Sequence, residues 1–205
     1  MTNVQSYTGG FTATNGYLFP APDGLIAVDA PAGMADWLTD SAQRLAALFL
    51  THWHFDHVID AARLAQEHNC PIYAWGPSTA DDRLEYLVAP YLGKDAIVEE
   101  YPVHHHLAGL ESATIAGARF LLRHVPGHSP DSLVLIHEPS RVIFSGDTVM
   151  DGGIGRTDFP GGSFELLAEG IRGKILTFPG DFRIFPGHGG VSTVAGELAE
   201  NSWLR

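Results

Sequence analysis

Apolar residues in this chain come mostly in short runs punctuated by Gly and Pro, a β-type pattern, with helical spacing between them. Tyr17-Leu18-Phe19 and Leu25-Ile26-Ala27-Val28-Asp29 predict two strands joined by a turn. Residues 35–47 space Trp37, Leu38 and Leu45 as a helix does, and Ala47-Leu48-Phe49-Leu50-Thr51 predicts a buried strand. A second helix is expected over 58–68, a strand at Pro71-Ile72-Tyr73-Ala74, a helix over 80–92, and a polar, irregular stretch over 103–109. From residue 113 the β pattern returns, over 113–116, 118–125, 132–137 and 141–145. Residues 163–176 predict a helix with Ser163 as N-cap, 182–185 a strand, and 192–200 a closing helix. The order gives two similar halves, β-rich at the centre and helical at both ends. Two packed sheets covered by helices, an α+β fold, would satisfy it.

Size and charge narrow the choices. The chain has 205 residues, 45% of them hydrophobic, which suits a single domain over 1–205 with a sizeable core. No apolar run reaches the roughly 18–20 residues needed to span a bilayer, and the N-terminus shows no leader pattern, so a cytoplasmic location is expected. Asp plus Glu number 24 against 12 Lys plus Arg, a formal charge of −12. Such a chain repels phosphate backbones and anionic membranes, so neither nucleic acid nor membrane is an expected partner. The one cysteine, Cys70, excludes an intrachain disulfide and reads as a small buried hydrophobe.

The chemistry concentrates in Thr51-His52-Trp53-His54-Phe55-Asp56-His57, at a strand-to-helix turn. Period-two alternation puts His52 and His54 on one side. The following helix can swing Asp56 and His57 toward the same space. Imidazole and carboxylate together suit zinc, iron or manganese. Three further residues sit behind predicted strands and beside glycines: His128 in Pro126-Gly127-His128-Ser129, Asp147 in Ser145-Gly146-Asp147-Thr148, and His188 in Pro186-Gly187-His188-Gly189. Seven ligands suffice for two ions if one carboxylate bridges.

This set, with its spacing, resembles the metallo-β-lactamase superfamily, and within it the small glyoxalase II-like hydrolases. Asp29 in Val28-Asp29-Ala30, Pro126-Gly127-His128-Ser129-Pro130, Gly146-Asp147-Thr148, the loop Gly155-Arg156-Thr157-Asp158-Phe159-Pro160-Gly161-Gly162 and the ending Glu200-Asn201-Ser202-Trp203-Leu204 carry the likeness. It implies an αββα sandwich of two mixed β-sheets flanked by helices. It also implies two divalent transition-metal ions, zinc before iron or manganese. His52, His54 and His128 would hold the first, Asp56, His57 and His188 the second, and Asp147 both. Asp29 and Thr51 would support these ligands from behind.

The chemistry so implied is hydrolysis of a small-molecule thioester or ester, hydroxyacylglutathione above all, by a metal-bridging hydroxide, with Asp56 orienting the nucleophile or taking its proton. True β-lactamases of the superfamily use a cysteine ligand, and Cys70 lies far from every motif, so antibiotic cleavage is not expected. Two alternatives stand beside the thioesterase. A mononuclear-iron persulfide dioxygenase shares the Gly155-Arg156-Thr157-Asp158-Phe159 stretch, and a lactonase would use the same nucleophile. Arg156 would either attract a substrate carboxylate or pair with Asp158. His104-His105-His106 is expected in a solvated loop, and His124 in the core or behind the ligands. Tyr86, Tyr91, Trp75 and Trp53 are pocket or core residues.

Overall fold

The computed structural model describes residues 3–41, 43–93 and 97–205. The chain divides into two compact units, Met1–Ala108 with Thr114–Ala118, and Gly109–Ala113 with Arg119–Arg205. Each is built around its own mixed sheet with helices, an α+β layout.

The first unit's sheet runs in the order β1 (Gln5–Gly9), β2 (Thr14–Ala21), β3 (Gly24–Val28), β4 (Leu45–Phe49), β5 (Ile72–Ala74), β6 (His105–His106). The pairs β1–β2 and β2–β3 are antiparallel, and from β3 onward the strands run parallel. Parallel neighbours need crossovers, and helices supply them. These are α1 (Met34–Ser41) between β3 and β4, α2 (Phe55–Val58) with α3 (Ala61–His68) between β4 and β5, and α4 (Glu85–Leu92) before β6. Leu18, Ala27, Met34, Leu38, Leu48, Leu50 and Leu64 fill the core.

Four expectations change here. The helix expected over 35–47 ends at Ser41 (residue 42 lies outside the described residues), because Leu45 is taken into the sheet opposite Leu25. The helix expected over 58–68 is broken at Asp60, whose N–H donates to the Ala30 carbonyl and whose carboxylate accepts from Ala35 N–H at 3.0 Å. The helix expected from residue 80 starts at Glu85, after a left-handed Leu84. The irregular stretch 103–109 contains β6, paired with β5 by His104 N–H to Ile72 O and Leu107 N–H to Ala74 O, with the His104 ring accepting from Ile72 N–H at 3.0 Å and the His105 ring stacked on Tyr73. Pairing through the main chain leaves no trace in side-chain pattern, so the exposed His105 and His106 gave no strand signal.

The second unit's sheet runs β14 (Ser192–Thr193), β13 (Arg183–Pro186), β10 (Val142–Gly146), β9 (Leu133–His137), β8 (Ala118–His124), β7 (Ser112–Ile115). A hairpin of β11 (Val149–Met150) and β12 (Gly153–Ile154) follows β10. The helices are α5 (Phe164–Lys174), capped as expected by Ser163 Oγ accepting from Leu166 N–H, and α6 (Val194–Glu200). Because β10 and β13 are parallel, and β8 lies two antiparallel steps from β10, all three strands end at one edge.

Cys70 is buried at the corner between α3 and β5, and burial pushes its thiol pKa up to about 11. At pH 8 the native thiol should therefore react with iodoacetamide at least roughly a hundredfold more slowly than in the unfolded chain, where a cysteine titrates near 8.5. Equal rates would show that this corner opens readily. Mass spectrometry of the labelled protein gives the comparison.

Candidate metal centre

Four of the seven predicted ligands lie in the first unit and three in the second, each set at one edge of its own sheet. The first set grows from the parallel pair β3–β4, whose ends carry Asp29 and Thr51-His52 side by side. Asp29 is buried, with left-handed backbone at φ 61°, and its N–H donates to the Phe49 carbonyl at 2.8 Å. Its carboxylate accepts from Thr51 N–H (2.7 Å), Thr51 Oγ1–H (2.8 Å) and His57 Nδ1 (2.8 Å).

These contacts fix ring protonation. A carboxylate only accepts, so the His57 ring proton sits on Nδ1 and Nε2 carries the lone pair. Thr51 gives its hydroxyl proton to Asp29, so it accepts from His52 Nδ1 at 3.0 Å, and His52 Nε2 likewise carries the lone pair. The His52 ring lies 4.6 Å from that of His54 and 4.1 Å from that of His57, so the three rings cluster. Asp56, on α2, is held by Thr14 Oγ1 donating to Oδ2 at 2.7 Å. Phe55 N–H donates to the Arg83 carbonyl at 2.9 Å, which pins the turn from outside.

In the second unit His128, Asp147 and His188 follow β8, β10 and β13. Asp147 Oδ2 lies 3.5 Å from His128 Nε2 and 3.3 Å from His188 Nε2. The corresponding separation in the first unit, His57 Nε2 to Asp56 Oδ2, is 3.7 Å. Two donor atoms each about 2.0–2.1 Å from one tetrahedral ion stand roughly 3.3–3.4 Å apart. The side chains within each unit are thus spaced as co-ligands, and their donor chemistry fits a transition-metal ion. His128 Nδ1 donates to the Arg156 carbonyl at 2.9 Å, which again leaves the lone pair on Nε2. That contact needs glycine beforehand: a Cβ on Gly155 would stand 1.9 Å from the Asp147 carbonyl oxygen and 2.9 Å from His128 Nδ1.

Of the two roles open to Arg156, the ion pair is the one formed. Its guanidinium donates twice to Asp158 (2.7 and 2.6 Å) and lies 4.2 Å over the Phe159 ring. The hydrogen bond from Arg156 holds the Asp158 carboxyl down at about 2. His124 Nε2 donates to the Pro130 carbonyl and so fastens the loop that carries His128. Trp53 is anchored by Nε1–H to Gly76 O, while Tyr91 is largely exposed.

Sequence reasoning missed several supports. Thr14 carried no motif. Arg83, fully buried and paired with Glu85 and Glu100, looked like any charged loop residue. Glu197 and Asn201 are buried and clamp the β11–β12 turn: Glu197 Oε1 accepts from Gly152 N–H, and Asn201 Nδ2 donates to Gly153 O and to Glu197 Oε2. For Asn201 the signal existed, in the chain's closing motif.

Residues 23–188 match the sequence pattern of the metallo-beta-lactamase superfamily. The chain is 36% identical over 185 residues to the hydroxyacylglutathione hydrolase GloC of Haemophilus influenzae, an overlap covering 87% of this chain and 86% of that protein. It is similar to the crystal structure of the BLEG-1 B3 metallo-beta-lactamase, with a TM-score of 0.85 at 29% identity over 98% of this chain and 99% of the other. It is also similar to TTHA1623 crystallised in a di-iron-bound form, with a TM-score of 0.84 at 28% identity, covering 98% and 100%.

Asp29 touches the histidines from behind, so its replacement separates ligand positioning from ligation. Asp29→Asn is expected to weaken zinc binding about 10–100-fold while leaving the far-UV circular dichroism unchanged. Competition with a chromophoric chelator measures the affinity, and an unchanged value would remove Asp29 from the metal-positioning role.

Proposed function

The chain belongs to the metallo-beta-lactamase superfamily and is a metallo-hydrolase of it, and from that premise we propose that it cleaves thioesters with two bound metal ions. On this reading His52, His54 and His128 would hold one ion, Asp56, His57 and His188 the other, and Asp147 both. The observation that carries this is the ring protonation of His52, His57 and His128, each fixed through Nδ1 so that Nε2 is the donor nitrogen. Bound metal supplies Lewis acidity and lowers the pKa of water toward about 7. Asp56, its Oδ2 steadied by Thr14, orients the nucleophile or accepts its proton.

Thioester substrates suit these residues because a departing thiolate, with a conjugate acid near about 8.5, needs no proton donor. The arginine of the loop after Asp147, Arg156, is engaged by Asp158. The likeness to a protein named hydroxyacylglutathione hydrolase supports the same choice. The likeness to one solved in a di-iron form supports iron as the second candidate metal after zinc.

Purified without added metal, the protein should hold two ions per chain by elemental analysis and hydrolyse S-lactoylglutathione, with the β-lactam nitrocefin as control. One iron per chain with oxygen uptake would favour the dioxygenase instead. Asp147→Asn should lose metal and lower kcat at least about a hundredfold; retention of both ions with full activity would refute the bridging role.

A further inference from the structure

Beside Asp56 the first unit has a cavity of about 350 Å³ lined by Phe11, Ala32, Phe55, Ile59 and Leu92, with Asp56 its one charged member among the described residues. That volume is at the lower end of small-molecule sites, which span about 300–1,000 Å³. The loop that bears Phe11 is shaped before any ligand arrives. Gly10 and Ala13 have left-handed backbone, Ala13 N–H donates to Gly10 O, and the side chain of Thr12 is hydrogen-bonded to Thr14, which holds Asp56. Phe11 itself is 82% exposed. Leu92 belongs to α4, which leaves Tyr86, Leu87 and Tyr91 exposed as well. An aromatic ring left in water at the rim of an apolar cavity is a surface that a ligand would complete.

We infer that this cavity seats an apolar acyl chain of about four to six carbons, so that the preferred substrates are thioesters of unsubstituted alkyl acids rather than of small hydroxy acids. The inference rests on the thioesterase reading above. Glutathione is charged and polar, and the described lining, apolar apart from Thr12 and one carboxylate, favours hydrocarbon over its carboxylates. The acyl side is therefore the part that fits. A chain seated here ends beside Asp56, so its carbonyl lies next to a proposed metal ligand.

The test uses thioesters of one small neutral thiol, N-acetylcysteamine, with acetyl, lactoyl, butanoyl and hexanoyl groups, on the metal-loaded enzyme. Burial of each methylene should raise kcat/KM roughly threefold, hence about a hundredfold from acetyl to hexanoyl, with lactoyl below butanoyl. Phe11→Ser and Leu92→Ser should each cut the hexanoyl advantage about tenfold and leave the acetyl thioester within about twofold of the parent. In parallel, calorimetry should show the unreactive S-hexyl thioether of the same thiol binding more tightly than the S-methyl one. If thioesters are cleaved but neither rate nor binding depends on chain length, or if neither substitution flattens the series, the acyl cavity is refuted and the thioesterase stands. If no thioester is cleaved yet the S-hexyl thioether binds more tightly and Phe11→Ser abolishes the difference, the apolar cavity stands and the thioesterase falls.

Discussion

One buried carboxylate organises the first unit. Asp29 joins the end of β3 to the end of β4 and to α2, through contacts with Phe49, Thr51 and His57. The next residue continues the tie, since Ala30 donates to the His57 carbonyl and accepts from Asp60. Burying an ionised carboxylate costs several kcal/mol, and hydrogen bonds involving a charge return about 1.5–3 kcal/mol each, so Asp29 is stable there only with its donors in place. All three of those donors, two from Thr51 and one from His57, belong to the polar turn itself. The protonation of His57 and, through Thr51, of His52 therefore follows from a residue more than twenty positions earlier. Removing the carboxylate would free both rings to take the other tautomer, which is a larger disturbance to a metal site than a small shift in position.

In the second unit the Nδ1 of His128 is met by a backbone carbonyl instead. There the backbone does the positioning. Arg156 offers its carbonyl to His128 because Gly155 lets the chain pass against the Asp147 carbonyl. The hairpin just before Gly155 is held at its turn by Glu197 and Asn201 from the last helix and the residue after it. The end of the chain thus governs a loop some fifty residues earlier, and the closing motif acquires a physical reason. Both units place strands beneath short polar loops, and the side chains of His52, Asp56, His57 and His128 are each held by a hydrogen bond.

How much of this the sequence disclosed depends on the kind of contact. β2, β3, β8, β9 and β10 were legible because their buried faces impose apolar runs. The histidines of the 52–57 turn stood out because a strand end gives a cluster of them no packing role, whereas His128, Asp147 and His188, each an ordinary loop residue taken singly, stood out only as a set. β1 and β6 were not, since a strand at a sheet edge is defined by main-chain pairing, which Gln5–Gly9 and the exposed His105–His106 achieve with polar side chains. The break at Asp60 was hidden for a related reason: its cause is a hydrogen bond to Ala35 from a distant element. Arg83 shows the same limit. Its burial depends on two glutamates, one two residues and one seventeen residues later, and no local pattern distinguishes it from a solvated arginine.

The charge distribution bears on what such a chain selects. With a formal charge of −12, its long-range field repels anions. The arginine of the 155–159 loop does little to reverse that. Its partner Asp158, held at about 2, stays ionised at every physiological pH, so the pair is neutral as a unit, and the guanidinium is further engaged by the Phe159 ring. Attraction for a negatively charged ligand would then fall mainly to metal held by the candidate ligands, acting at short range. Discrimination among substrates must come from the remainder of the molecule, by contacts that do not depend on charge. In the first unit the surface beside Asp56 is apolar, built from Phe11, Phe55, Ile59 and Leu92 on a loop and helices whose backbones are already set. A candidate ligand carboxylate flanked by preformed apolar surface on an acidic chain is the arrangement on which the inferred preference for hydrocarbon-rich acyl groups rests.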